Sequence, residues 1–164
     1  MKFNYLWLVF ALMLTAACDR ETTVTPDIEL TGNSECKSSV LKSFSDHSSD
    51  QDCIQYFWKS GDTLKIKHVN AGFNCCPQGF GVDLKVVGDT LLITESENSS
   101  LCDCCCLFDL EYNLTGISKG NWWVKIVEPY AQNKDEDKLN FLIELKKNQE
   151  GEYCVTRTGY PWGM

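Results

Sequence analysis

The sequence predicts an all-β fold, an antiparallel β-sandwich or partly closed barrel of about eight strands. Two observations carry most of the weight. First, residues 63–70 put Leu64, Ile66 and His68 on one face and Lys65 and Lys67 on the other, and residues 80–86 set Phe80, Val82, Leu84 and Val86 against Asp83 and Lys85. A period of two is the signature of a strand with one face in the core. Second, turn signals recur about every dozen residues, as sandwiches require. The segments Gly61-Asp62-Thr63-Leu64 and Gly88-Asp89-Thr90-Leu91 repeat one turn followed by one strand, and Gly supplies the positive φ of a tight hairpin.

Taken from the N-terminus, residues 1–17 read as a lipoprotein signal peptide. Lys2 opens it, an apolar run from Phe3 to Leu14 is interrupted only by Asn4, and Thr15-Ala16-Ala17 leads into Cys18. The run is too short to span a bilayer, which takes about 20 apolar residues. A cysteine directly after small residues looks like a bacterial lipobox, so Cys18 is the expected lipidation site and the first residue of the mature chain. Residues 18–34 read as a lipidated tether, rich in Thr and without apolar period, and residues 35–164 as a single β-domain. One short helical turn is expected at 38–44. Strands are expected at 53–59, 63–70, 72–76, 80–86, from Thr90 onward, and at 102–115, 122–128, 139–146 and 153–158. Of the adjacent Trp122 and Trp123, one ring must point outward or lie under a loop.

Removing 17 of the 164 residues leaves 147, and losing Lys2 takes the net charge from −8 to −9. An acidic chain without a basic patch does not suit nucleic acid. Nor does it suit electrostatic adhesion to anionic lipid. The expected membrane contact is the acyl chains on Cys18, palmitate among them, each buried methylene contributing about 0.8 kcal/mol. Asp19 and Glu21 fit two sorting outcomes, retention at an inner membrane or export to the cell surface. The expected address is the envelope of a Gram-negative bacterium, at the outer membrane.

With Cys18 lipidated, Cys36, Cys53, Cys75, Cys76, Cys102, Cys104, Cys105, Cys106 and Cys154 remain, an odd number that cannot all pair within one chain. If 102–114 is one strand, Cys102, Cys104, Cys106, Phe108, Leu110, Tyr112 and Leu114 share the core face and Cys105 lies opposite, as the unpaired thiol. The segment Cys75-Cys76 is expected beside 102–106, as disulfides or as a shared metal site. Cys75, Cys76, Cys102, Cys104, Cys106 and His68 are the candidates for either, and zinc is the ion that thiolate and imidazole ligands favour. An exported chain dense in cysteine favours disulfides. A Cys-x-x-Cys is present at 102–105, but it opens a strand instead of a helix, where a dipole would lower the thiol pKa. No Gly-x-Ser-x-Gly or His-Glu-x-x-His occurs. His47 lies in a polar loop, and Asp135-Glu136-Asp137 lacks calcium-loop spacing.

The run from Leu64 to Pro77, containing His68-Val69-Asn70-Ala71-Gly72-Phe73-Asn74-Cys75-Cys76, resembles the first signature of a family of small uncharacterised bacterial lipoproteins. Cys102-Asp103-Cys104-Cys105-Cys106-Leu107-Phe108 is similar to the second, and Cys154-x-x-Arg157 with Tyr160-Pro161-Trp162 to the closing one. In the family pattern an apolar residue stands at the position of Cys105. The resemblance implies a lipoprotein and brings no reaction, substrate or ligand. The functional expectation is a non-catalytic, lipid-anchored envelope lipoprotein whose β-domain binds or scaffolds a partner, protein or glycan. The alternative is a metal-binding or metal-sensing lipoprotein using the His/Cys cluster.

Overall fold

The computed structural model describes residues 25–37, 47–59, 63–99, 102–131, 139–146 and 149–163. Cys18, the signal segment, the expected helical turn at 38–44, the Gly61-Asp62 turn and the 135–137 acidic run lie outside them. Among the described residues nine strands form two packed sheets: β1 (Asp27–Asn33), β2 (Gln51–Lys59), β3 (Thr63–Asn74), β4 (Pro77–Val87), β5 (Thr90–Ser99), β6 (Cys105–Thr115), β7 (Gly120–Val127), β8 (Asn140–Leu145) and β9 (Gln149–Thr156). One sheet has the order β1-β6-β3-β2-β9 and the other β4-β5-β7-β8. The fold is a sandwich, and neither sheet closes into a barrel. Among the described residues no helix is long and apolar enough to cross a membrane.

The alternation places the core where expected. Leu64, Ile66, Leu110 and Leu114 are buried, as are Leu91, Ile93, Val124 and Ile126 from the facing sheet, while Val82 and Leu84 are partly buried against that core. Aromatic side chains join the layers at two places. Phe80 of one sheet meets Phe73 and Phe108 of the other edge-on at 4.9 and 5.0 Å. Phe141 stacks on Tyr153 at 4.5 Å, and such pairs add about 0.5–1.5 kcal/mol beyond their buried area. Gly88 takes the positive φ of 62° that its hairpin needs, and Trp123 is the outward ring of its pair, 42% exposed.

Four expectations are corrected. The tether assigned to 18–34 gives way to β1 at Asp27, so the β-domain begins before residue 35. Ile28 and Leu30 alternate, pair opposite Leu114 and Tyr112 of β6, and pack against the core; the partner strand supplies the order that the segment cannot supply alone. Residues 63–70 and 72–76 form one strand, β3, continued through a bulge between His68 and Ala71. The strand expected at 102–115 starts at Cys105. The sandwich is also not wholly antiparallel, because β5 pairs parallel to β7, Ile93 opposite Ile126. Parallel neighbours need a crossover, and here β6 provides it by passing through the other sheet.

The closing segment packs tightly on β3. A Cβ placed on Gly72 would stand 2.6 and 2.7 Å from ring carbons of Trp162, whereas one on Gly79 would meet nothing within 4 Å. Gly72→Ala is therefore expected to destabilise by about 1–3 kcal/mol in chemical denaturation, with Gly79→Ala close to neutral as its comparison.

Candidate functional site

Three places carry chemistry: the cysteine ladder, a buried charged cluster, and a groove on the outer face of the larger sheet.

The structure brings Cys75-Cys76 beside the start of β6, as the sequence requires, and joins them as disulfides. Cys75 pairs with Cys104 and Cys76 with Cys102, tying the β3–β4 turn to the chain entering β6. Cys36 pairs with Cys106. Cys53 and Cys154, directly opposite in the β2–β9 register, form the fourth bridge. Among the described residues Cys105 is the free cysteine, as face parity indicates. Burial pushes its thiol pKa up, and Glu97 and Asp103 push it further, so it is a poor thiolate. Sulfurs held in disulfides have no thiolate to offer a metal, which removes Cys75, Cys76, Cys102, Cys104 and Cys106 from the expected zinc set.

His68 is not part of that ladder. Its ring is wholly buried between the sheets and lies between two carboxylates. Nδ1 is 2.8 and 3.0 Å from the two oxygens of Glu95, and Nε2 is 2.7 Å from Oδ1 of Asp52. Arg157 reaches the other oxygen of Asp52, Oδ2, at 2.7 Å from Nε, and pairs with Oε2 of Glu128. Tyr112 donates its hydroxyl to Glu95 Oε1 at 3.3 Å. Asp52, Glu95, Glu128 and Arg157 are all buried. Burial lowers the imidazole pKa, but Glu95 and Asp52 outweigh it and hold His68 well above its ordinary value; as imidazolium it donates from both nitrogens. Burial, joined by the Asp52 charge, pushes the Glu128 carboxyl up to about 8 against the opposing pull of His68 and Arg157.

Asp52, His68 and Glu95 sit on the core face of their strands and Glu128 just past the end of β7, each two positions from a buried isoleucine: Asp52 from Ile54, His68 from Ile66, Glu95 from Ile93, Glu128 from Ile126. The parallel β5–β7 register aligns Thr94 with Val127, so Glu95 and Glu128 leave their strands at the same level. Arg157 follows β9 and is covered by Trp162, whose ring centre lies 5.2 Å from the guanidinium carbon. Sequence reading identified His68 as an imidazole on an apolar face and missed its partners. The available signal was that Glu95 continues the alternation of Leu91 and Ile93, and Asp52 that of Ile54 and Trp58.

The groove, of about 740 Å³, crosses the outer face of the five-stranded sheet. The same strands that point Ile66 and His68 inward point Lys65 and Lys67 outward, beside Gln55 and Phe57 of β2, Glu111 and Asn113 of β6 and Glu150 of β9. Charges alternate across it: Lys67 is 3.4 Å from Glu111, and Gln55 donates to Glu152 at 2.8 Å. Phe57 offers a partly exposed ring among them. Comparison with protein-family models, curated proteins and solved structures finds no match to this chain.

Two substitutions separate the roles of neighbouring thiols. Cys104→Ala opens a staple and is expected to cost about 2–5 kcal/mol, while Cys105→Ala leaves the denaturation midpoint nearly unchanged. In the charged cluster, Asp52→Ala strips a partner from both His68 and Arg157, and a loss of about 3–5 kcal/mol is expected in the same measurement.

Proposed function

We propose that the chain is a non-catalytic lipoprotein of the cell envelope, anchored through acyl chains on Cys18, whose β-sandwich binds or scaffolds a partner. The observation that carries this reading is the apolar run closing on Leu14-Thr15-Ala16-Ala17-Cys18, ahead of a domain stapled by four disulfides. Disulfides form and persist outside the reducing cytosol, so the staples and the export signal support one another. The resemblance of the His68-to-Cys76 and Cys102-to-Cys106 runs to small bacterial lipoproteins points the same way, and an outer-membrane address belongs to the same proposal.

The non-catalytic part rests on where the reactive groups lie. His68 and Asp52 are completely enclosed, so they reach no substrate from solution and act on the fold. The groove over β2, β3 and β6 is an accessible surface able to receive a partner. Its lining of amide, lysine, carboxylate and one aromatic ring suits a polar ligand held by hydrogen bonds, a glycan or an extended peptide.

The anchor is tested by Cys18→Ser. A serine hydroxyl cannot form the thioether, so membrane fractionation should find the variant released or held as uncleaved precursor. A fully processed, membrane-bound variant would refute the proposal.

A further inference from the structure

We infer that Asp52, His68 and Glu128 form a binding site for a divalent transition-metal cation, of which zinc is the natural occupant, enclosed between the two sheets. The inference goes beyond the proposed anchoring and binding role and does not depend on it.

The geometry begins with an unpaired atom. Glu128 Oε1 is buried and has no hydrogen-bond partner, although Oε2 of the same carboxyl is held by Arg157. A carboxyl oxygen left unpaired in a core has lost its water without gaining a partner, which is unfavourable. Oε1 faces His68 Nε2 at 3.8 Å, and Asp52 Oδ1 lies 2.7 Å from that nitrogen. The three atoms are all within 4.8 Å of one another. Zinc bonds of about 2.0–2.1 Å at tetrahedral angles separate ligand atoms by about 3.3 Å, so the two separations from Nε2 lie about half an ångström either side of that value, and the two carboxylate oxygens are already within 4.8 Å of each other.

The surroundings are those of a ligating imidazole. His68 directs Nδ1 to both oxygens of Glu95, the carboxylate–histidine arrangement that fixes a ligating ring, and Nε2, which donates to Asp52 in the metal-free form, would turn its lone pair to the metal on losing that proton. Arg157 takes Asp52 Oδ2 and Glu128 Oε2, so the remaining oxygen of each carboxylate is the one turned toward Nε2. The charges close as well. Entry of the ion displaces the Nε2 proton of the imidazolium and any proton on Glu128; a dication with Arg157 then carries three positive charges against the three negative ones of Asp52, Glu95 and Glu128. One nitrogen with carboxylate oxygens suits zinc or manganese, and the absence of any sulfur from the set distinguishes it from the His/Cys site anticipated above.

The test uses the full-length protein in detergent with its disulfides intact. It is unfolded in guanidinium with chelator, refolded with or without zinc, desalted, and assayed for bound metal and thermal midpoint. The wild type is expected to retain about one zinc per chain and to melt higher than the metal-free form. Glu128→Gln should retain none, whereas His47→Ala, at the Glu152 side of the sheet, should retain as much as the wild type. Glu95→Gln, a change at a positioning residue, should weaken zinc affinity by about 10–100-fold. Cobalt substituted into the wild type should show visible d–d bands without a thiolate-to-cobalt charge-transfer band, a readout that stands even if a variant fails to fold. Absence of retained zinc in the wild type, full retention by Glu128→Gln, loss in His47→Ala, or a thiolate band would each overturn the inference.

Discussion

Asp52 and His68 belong to the five-stranded sheet and Glu95 to the four-stranded one, so the hydrogen bonds that hold one imidazole also tie the two layers together. Arg157 extends the tie from the end of β9 to Glu128 just past β7. Apolar side chains tolerate sliding and repacking, but a buried charged group tolerates little, because losing one partner costs about 3–5 kcal/mol. The cluster therefore fixes the relative placement of strands that hydrophobic contact would hold only approximately. Its members do not necessarily add net stability, since well-packed apolar residues can replace a buried ion pair without loss. What they contribute is directional contact between the layers, from His68 to Glu95 and from Arg157 to Glu128.

The disulfides act on a different quantity. They close loops of 26, 29, 70 and 101 residues, restricting the unfolded chain more than they shape the folded one. Three of them crowd at the turn between β3 and β4 and the start of β6, the region where Phe73, Phe80 and Phe108 bridge the sheets. Cys53–Cys154 lies on the β2–β9 pair nearer the charged cluster. Staples at the aromatic bridge and charges between the layers divide the work, the first limiting what can come apart and the second limiting how it goes together.

The sheet faces were legible because alternation is local: Leu64, Ile66, Phe108 and Leu110 follow from their neighbours alone. The odd thiol was legible for the same reason, since the parity of Phe108, Leu110, Tyr112 and Leu114 extends back to Cys106 and leaves Cys105 opposite. Apart from the neighbourhood of Cys75-Cys76 and 102–106, which the cysteines gave away, pairing between distant strands could not be read locally. β1 looks like a polar tether until β6 stands beside it, and the parallel β5–β7 contact depends on β6 crossing to the other sheet. The charged cluster belongs to this second kind. Parity places Asp52 and Glu95 on the core face of their own segments, but only the fold shows that they converge with Glu128 on the imidazole that already stood out.

One backbone irregularity makes both ends of the core possible on a single strand. From Leu64 to His68 the even positions of β3 face inward. After the bulge the odd positions do, with Ala71 and Phe73 buried. Asn70 absorbs the change with a φ of 65°, an angle Asn tolerates better than most residues. Its side-chain amide donates to the carbonyls of Ser48 and Gln51, and its backbone N–H donates to Asp109. Trp162 completes the arrangement by donating its indole N–H to the Asn70 carbonyl at 2.8 Å. Without the extra residue, the strand that delivers His68 to the cluster would turn Phe73 out to solvent and Gly72 into the core. The bulge thus lets β3 serve the charged cluster and the aromatic bridge in succession. It also explains why the closing segment, which brings Arg157 to the cluster and Trp162 over Gly72, is anchored at this same point.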